Sequence, residues 1–246
     1  MMMSDSEIIP RKIHYCWYGN SPLSELNQRC METWRSLMPD YTIIRWDESN
    51  LITTSPYVSA ALRLKRYAFA ADYMRLHALY TEGGIYLDTD VEVVKPFDGL
   101  LSDQLFMGYQ APGSIAVGVI GSVKGHPFLN RIMAALDADA DGKHISFEPL
   151  PDLVTRLAKA ENDSSLVFYP EHYFYPYNPY SSVAVRQKPL LSNMSDETIC
   201  VHHWEGTWLG EASLRNLLGM KLKKIVKDIQ ARLPVWASRR SFPATR

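Results

Sequence analysis

Two aspartates one residue apart, Asp88 and Asp90, stand inside the alternating run Ile85-Tyr86-Leu87-Asp88-Thr89-Asp90-Val91-Glu92-Val93. Period two puts Ile85, Leu87, Val91 and Val93 on one face of a strand, and Tyr86, Asp88, Asp90 and Glu92 on the other. The two carboxylates then share a side, about 7 Å apart at the backbone. Beside an apolar strand they repel each other and are costly to desolvate, so a positive species between them is expected. The preceding helix adds Asp72 and Arg75, which at i,i+3 lie on one face. A lone D-x-D is more often a solvated strand end. An aromatic, an acid pair and a helical acid–base pair together point to a metal-bound phosphate site.

The elements that position these groups follow from punctuation and period. Leu62, Leu64, Phe69, Met74, Leu76 and Leu79 supply the apolar surface of a helix, which Gly83-Gly84 ends by admitting a left-handed backbone. Upstream, Ile13, Tyr15 and Trp17 alternate with His14, Cys16 and Tyr18 until Gly19-Asn20-Ser21-Pro22 breaks the run. Leu23 to Met38 reads as an amphipathic helix and Tyr41 to Trp46 as a second strand. Strand, helix, strand in short order implies right-handed crossovers and a parallel sheet, whose ligands bind outside the carboxyl ends of the strands. Downstream, Leu105 to Tyr109 and Ile115 to Gly121 read as strands, and Pro127 to Leu136 and Leu150 to Ala160 as helices. The Asp137–Gly142 acid cluster lacks the ligand pattern of a calcium loop and reads as a solvated turn. Tyr169 to Tyr180, broken by prolines, is irregular; its five tyrosines either stack on sugar rings or pack over the sheet edge. Thr198 to His202 is a last strand.

The run Ala71-Asp72-Tyr73-Met74-Arg75, followed by Gly83-Gly84-Ile85-Tyr86-Leu87-Asp88-Thr89-Asp90, resembles the DXD signature of family 32 glycosyltransferases. That group includes yeast-type α-mannosyltransferases and capsular-polysaccharide sugar transferases, and the glucosylating domains of large clostridial toxins are similar in the same stretch. The likeness takes in Ile9 to Gly19, Lys124-Gly125-His126-Pro127-Phe128 and His202-His203-Trp204-Glu205-Gly206-Thr207-Trp208, covering about residues 8 to 210. It implies an α/β, GT-A-like (Rossmann-like) fold with a mixed, mostly parallel sheet flanked by helices. It also implies a retaining transfer of sugar from a nucleotide-diphosphate donor, expected to be a UDP-sugar, with Mn2+ or Mg2+ bound. Asp90 then binds the ion directly, Asp88 reaches it through water or holds the ribose, and one of His202 and His203 is the third metal ligand; the resemblance favours His203, with alternation pointing His202 the other way. Arg75 steadies the leaving group or sugar and Asp72 bonds a sugar hydroxyl. Trp17 or Tyr18 stacks on the base unless both are ordinary core aromatics; Tyr86 borders the donor and Trp208 covers it. Relatives in this family usually carry an Asn or Asp where this chain has Ser114-Ile115-Ala116-Val117-Gly118.

Composition bounds the rest. The 246 residues, 46% hydrophobic with net charge −1, suit one domain and argue against nucleic acid as partner. Charge is uneven: from Arg215 onward nine basic residues face one acid, leaving 17 basic and 26 acidic residues before. Residues 1–213 are expected to form the transferase domain and 214–246 a basic amphipathic helix and tail, lying on an anionic membrane or packed on the domain. Three cysteines without C-x-x-C spacing suggest a reducing compartment. With no apolar leader, this reads as a cytoplasmic protein, peripheral on the inner membrane face where its tail engages lipid. The acceptor would be a glycan, a lipid-linked saccharide or a protein. Two other readings compete: a haloacid-dehalogenase-like phosphatase with Asp88 as nucleophile and Asp90 as acid/base, and a silent nucleotide- or sugar-binding module.

Overall fold

The computed structural model describes residues 8–19, 21–51, 54–140, 145, 147–161, 163–179 and 194–205. In order these form β1 (Lys12–Cys16), α1 (Glu25–Leu37), β2 (Thr42–Trp46), α2 (Pro56–Arg63), α3 (Tyr67–Glu82), β3 (Gly84–Leu87) and β4 (Val91–Val93). They continue with β5 (Leu105–Ala111), β6 (Ser114–Ser122), α4 (Pro127–Asp139), α5 (Leu150–Lys159), β7 (Leu166–Tyr169), α6 (Glu171–Phe174) and β8 (Cys200–His202). The expected C-terminal helix and Trp208 lie outside the described residues. Among the described residues, no helix is long and apolar enough to cross a membrane.

Six strands form one sheet in the order β2-β1-β3-β6-β5-β7, and β4 pairs with β8 in a small second sheet. β1 runs parallel to β2 and β3, and β7 parallel to β5, while β6 is antiparallel to both neighbours. Five of the six strands therefore point one way, and their carboxyl ends collect on one edge, with Asp88 just past β3. Apolar layers cover both faces: Leu76, Leu79, Tyr86, Ile120, Phe128 and Leu150 belong to one, and Trp34, Ile85, Leu87, Val91, Phe106 and Phe174 to the other. α1 is anchored by a capping box in which the Ser24 hydroxyl accepts from the Asn27 amide and the Asn27 side chain accepts from the Ser24 amide.

Three expectations change. The single strand through the acid pair is two: β3 ends at Leu87, a turn closed by the Val91 amide donating to the Asp88 carbonyl at 3.0 Å follows, and β4 departs into the second sheet. Alternation survives on each side of the turn, which is why the sequence pattern reads as unbroken. The one expected helix ending at Gly83 is α2 and α3, separated at Lys65, whose φ is +55°. Asp137 is no solvated turn residue: its carboxylate accepts from Ser55 Oγ, the Tyr57 amide and Tyr73 Oη, tying the start of α2 to α4.

Candidate active site

The glycine pair does what its type demands. Gly83 caps α3 at φ +65°, and a Cβ there would lie 2.9 Å from the Lys124 amide nitrogen; Gly84, at φ +115°, would set one 2.8 Å from the Lys12 carbonyl. Buried His14 fixes the same corner. Trp46 Nε1 donates to its Nδ1 at 3.1 Å, so Nε2 carries the proton and donates to the Gly83 carbonyl at 2.8 Å. Burial lowers the His14 pKa and keeps the ring neutral.

At the end of β3, Asp88 is gripped from several elements. Its amide donates to the Gly118 carbonyl at 2.9 Å, continuing the β3–β6 ladder. Its Oδ1 accepts from Tyr86 Oη at 2.9 Å and from Arg75 at 3.3 Å. Arg75 also pairs with Asp72 at 2.9 Å, donates to the Val117 carbonyl at 2.9 Å and lies 4.6 Å from the Tyr86 ring centre. Burial opposes its charge, but Tyr86, Asp88 and Asp72 outweigh it and raise its pKa, so it is a permanent cation. The same burial pushes Asp72 up to about 6, against the pull of Arg75.

β6 is bent to serve this arrangement. Its pairing with β5 jumps from Met107↔Ile120 to Gly108↔Ala116, and the intervening Val117, Gly118 and Val119 supply the Arg75 acceptor, the Asp88 acceptor and a donor to Tyr175 Oη. Gly118 leaves room for the acid, since a Cβ there would sit 2.7 Å from Asp88 Oδ2. The stretch in which relatives carry Asn or Asp thus contributes backbone, with Ala116 and Val117 buried in the core.

Asp90 is held by the other end of the chain. His202 Nε2 lies 3.0 Å from its Oδ1, the Glu205 amide donates to its Oδ2 at 2.8 Å, and the His203 amide donates to its carbonyl at 3.0 Å. Burial disfavours the Asp90 carboxylate, but His202 and the Glu205 amide outweigh it and lower its pKa. Burial likewise lowers that of His202, and the charges of Asp90 and then Asp88 reverse the balance, so its pKa is raised.

His202, rather than His203, therefore meets the acid pair. Its Nε2 is 3.9 Å from Asp88 Oδ2, and ligand atoms of Asp88, Asp90 and His202 all lie within 4.8 Å of one another. His203 instead turns to Glu92 at 2.8 Å. The reason is register: β8 pairs Val91 with His202, which brings that ring back over the turn; alternation does point the two rings apart, and it is the choice of His203, taken from the resemblance, that the register reverses. His202 Nε2, 3.0 and 3.9 Å from the two carboxylates, is spaced as ligands of one divalent ion are, since ligands at about 2.1 Å stand about 3 to 4.2 Å from each other. Of the remaining expected residues, Trp17 and Tyr18 follow β1 at the same sheet edge; Trp17 Nε1 donates to the Ser21 carbonyl and the Tyr18 hydroxyl is buried beside Cys16. The roles of Gly118, His202 and the Glu205 amide were not legible in advance; the H-H-W-E-G signal was there, but only the register chooses between its two rings.

A six-stranded sheet with an acid pair beyond its third strand is the GT-A type of glycosyltransferase fold. The solved structure "PaToxG Glycosyltransferase" shares this fold, superposing with a TM-score of 0.55 at 21% identity, over 63% of this chain and 70% of that one. Residues 24–107, which end in β5, match the family described as "Glycosyltransferase sugar-binding region containing DXD motif", so this part of the chain is similar to such a region. Inositol phosphoceramide mannosyltransferase 3 of Schizosaccharomyces pombe is 30% identical over 152 residues, 58% of this chain and 42% of its own. Mannosyl phosphorylinositol ceramide synthase CSH1 of Saccharomyces cerevisiae is 30% identical over 141 residues, 54% of this chain and 36% of its own. The chain thus spans under half the length of these curated relatives. None of these matches favours the phosphatase.

Proposed function

We propose that this protein is a metal-dependent retaining glycosyltransferase that moves a sugar from a nucleotide-diphosphate donor to a saccharide, lipid-linked or protein acceptor. The observation that carries the reading is the convergence of Asp88, Asp90 and His202 beside the buried Arg75–Asp72 pair. An Mn2+ or Mg2+ ion held by the first three would neutralise charge as the diphosphate departs. Arg75, fixed by three acceptors in a site shielded from water, presents a permanent positive charge to the leaving group without needing to reorganise. Asp72, with its pKa near 6, accepts a hydrogen bond from a sugar hydroxyl when ionised. Tyr86 and Gly118 keep Asp88 oriented, and the Glu205 amide does so for Asp90. UDP-sugars are the expected donors, and relatives named as mannosyltransferases make mannose the first sugar to offer. Residues 1–213 are proposed as the catalytic unit and 214–246 as a basic tail that meets anionic lipid on the cytoplasmic side.

The deciding experiment incubates the protein with UDP- and GDP-sugars and Mn2+, reading nucleotide diphosphate release and thermal shift. Release that needs the metal and vanishes in Asp90→Asn supports the transferase. Metal-independent binding without release would leave a silent binding module instead.

A further inference from the structure

On the edge of the sheet that carries Asp88, a cleft of about 560 Å³ opens between the β5–β6 hairpin and the β7–α6 connection. Its walls include Tyr109, Pro112, Glu171, His172, Tyr175 and Pro176. We propose that this cleft is a saccharide-binding subsite that seats the acceptor. This rests on the transferase reading and adds to it a place and a chemical class for the second substrate.

Position is the first argument. β5 and β7 run parallel to β3 through the sheet, so their carboxyl ends, from which the cleft is built, lie on the same edge as the acid pair. Tyr175 is the shared wall. Its hydroxyl is fixed by the Val119 amide at 2.9 Å, and its ring packs so closely on Gly108 that a Cβ there would come within 3.1 Å of a ring carbon. Its ring centre is 5.7 Å from that of His202. A ligand in the cleft therefore lies one side chain from the metal cluster, within reach of a sugar bound there.

The lining supplies the second argument. Aromatic and proline faces suit the C–H face of a pyranose, and a carboxylate accepts from its hydroxyls. His172 is already engaged, with Nε2 3.0 Å from Glu197, whereas the Glu171 carboxylate makes no ion pair among the described residues. Glu171 is thus the open acceptor of the cleft. A volume of this size accommodates a small ligand of one to a few rings.

The test uses saturation-transfer NMR on the full chain with maltose, cellobiose, lactose and α-1,6-mannobiose at millimolar concentration, with and without UDP or GDP plus Mn2+. Tyr109→Ala and Glu171→Gln are compared with wild type, and nucleotide-diphosphate binding is measured on each. Both positions are away from the acid pair, so the variants should hold nucleotide as wild type does. The expected result is that at least one disaccharide binds, is not displaced by nucleotide, and loses at least tenfold in affinity in both variants. No disaccharide bound, binding displaced by nucleotide, or binding untouched by either variant would overturn the cleft assignment. Loss of nucleotide binding in wild type, with saccharide still bound, would instead break the transferase reading and leave a sugar site.

Discussion

The two acids of the D-x-D are held by two unlike halves of the molecule. Asp88 depends on Arg75, Tyr86 and the bent part of β6, groups within about thirty residues of it in sequence. Asp90 depends on His202 and the Glu205 amide, more than a hundred residues away. The first half is a cation clamp set in a rigid sheet and helix. The second is a strap: a three-residue strand, then Trp204 at φ +57° and Glu205, whose side chain accepts from Asn27 on α1 at 2.9 Å. The division suggests separate duties, with the clamp setting donor and leaving-group geometry and the strap setting metal affinity.

Removing the acid that joins the strap should have the largest effect. Two charges about 4 Å apart at an effective dielectric of about 20 interact by about 4 kcal/mol, so Asp90→Asn should slow turnover on the order of 10²–10⁴-fold. Steady-state release of nucleotide diphosphate checks it, and an unchanged rate would remove Asp90 from the metal site. Next comes the clamp. Arg75→Lys keeps the charge but cannot serve Asp72, Asp88 and the Val117 carbonyl at once, so kcat should fall about 10²-fold. Metal affinity should hardly move, and a loss of Mn2+ binding equal to the loss of rate would erase the division of duties. The strap is tested by its two histidines. His202→Ala should weaken Mn2+ binding by about 10–100-fold. His203→Ala removes a partly exposed pair with Glu92 and should stay within about fivefold of wild type. Calorimetric titration of Mn2+ decides between them, and equal effects would return the assignment to an open choice.

The same division explains what could be read from sequence. Asp72, Arg75, Tyr86, Asp88 and the glycine turn are local, so helical spacing, strand alternation and glycine chemistry bring them together on paper. The carboxyl-edge placement follows from the strand–helix–strand order. What fails is non-local. Whether His202 or His203 faces the acids depends on how β8 registers against β4, and on the turn that breaks the acidic strand at Leu87. Neither leaves a periodic trace, because the turn preserves the alternation on both sides. Gly118 carries no signal either: its importance lies in the space beside it, filled by the acid just past β3. The stretch that lacks the expected amide or acid is the one whose backbone does the holding.

The smallest effect is on stability, and it separates the halves by sign. Asp72 has its pKa raised from 3.8 to about 6, because burial outweighs the attraction of Arg75. The native state then holds its proton more tightly than the unfolded chain does, so this group's contribution falls as pH rises from about 4 to about 6 and is level above that. Asn does not titrate, so the Tm of wild type minus that of Asp72→Asn should fall across this window by several degrees. Asp90 runs the other way. Its pKa is lowered, so its contribution is present above about 4 and is lost as pH drops through its native value. In metal-free buffer, wild type minus Asp90→Asn should therefore rise with pH, and do so below about pH 4. Thermal melts of the two pairs from pH 3 to 7 read both slopes. Two slopes of the same sign would mean that the acids share one environment, and the contrast between clamp and strap would be lost.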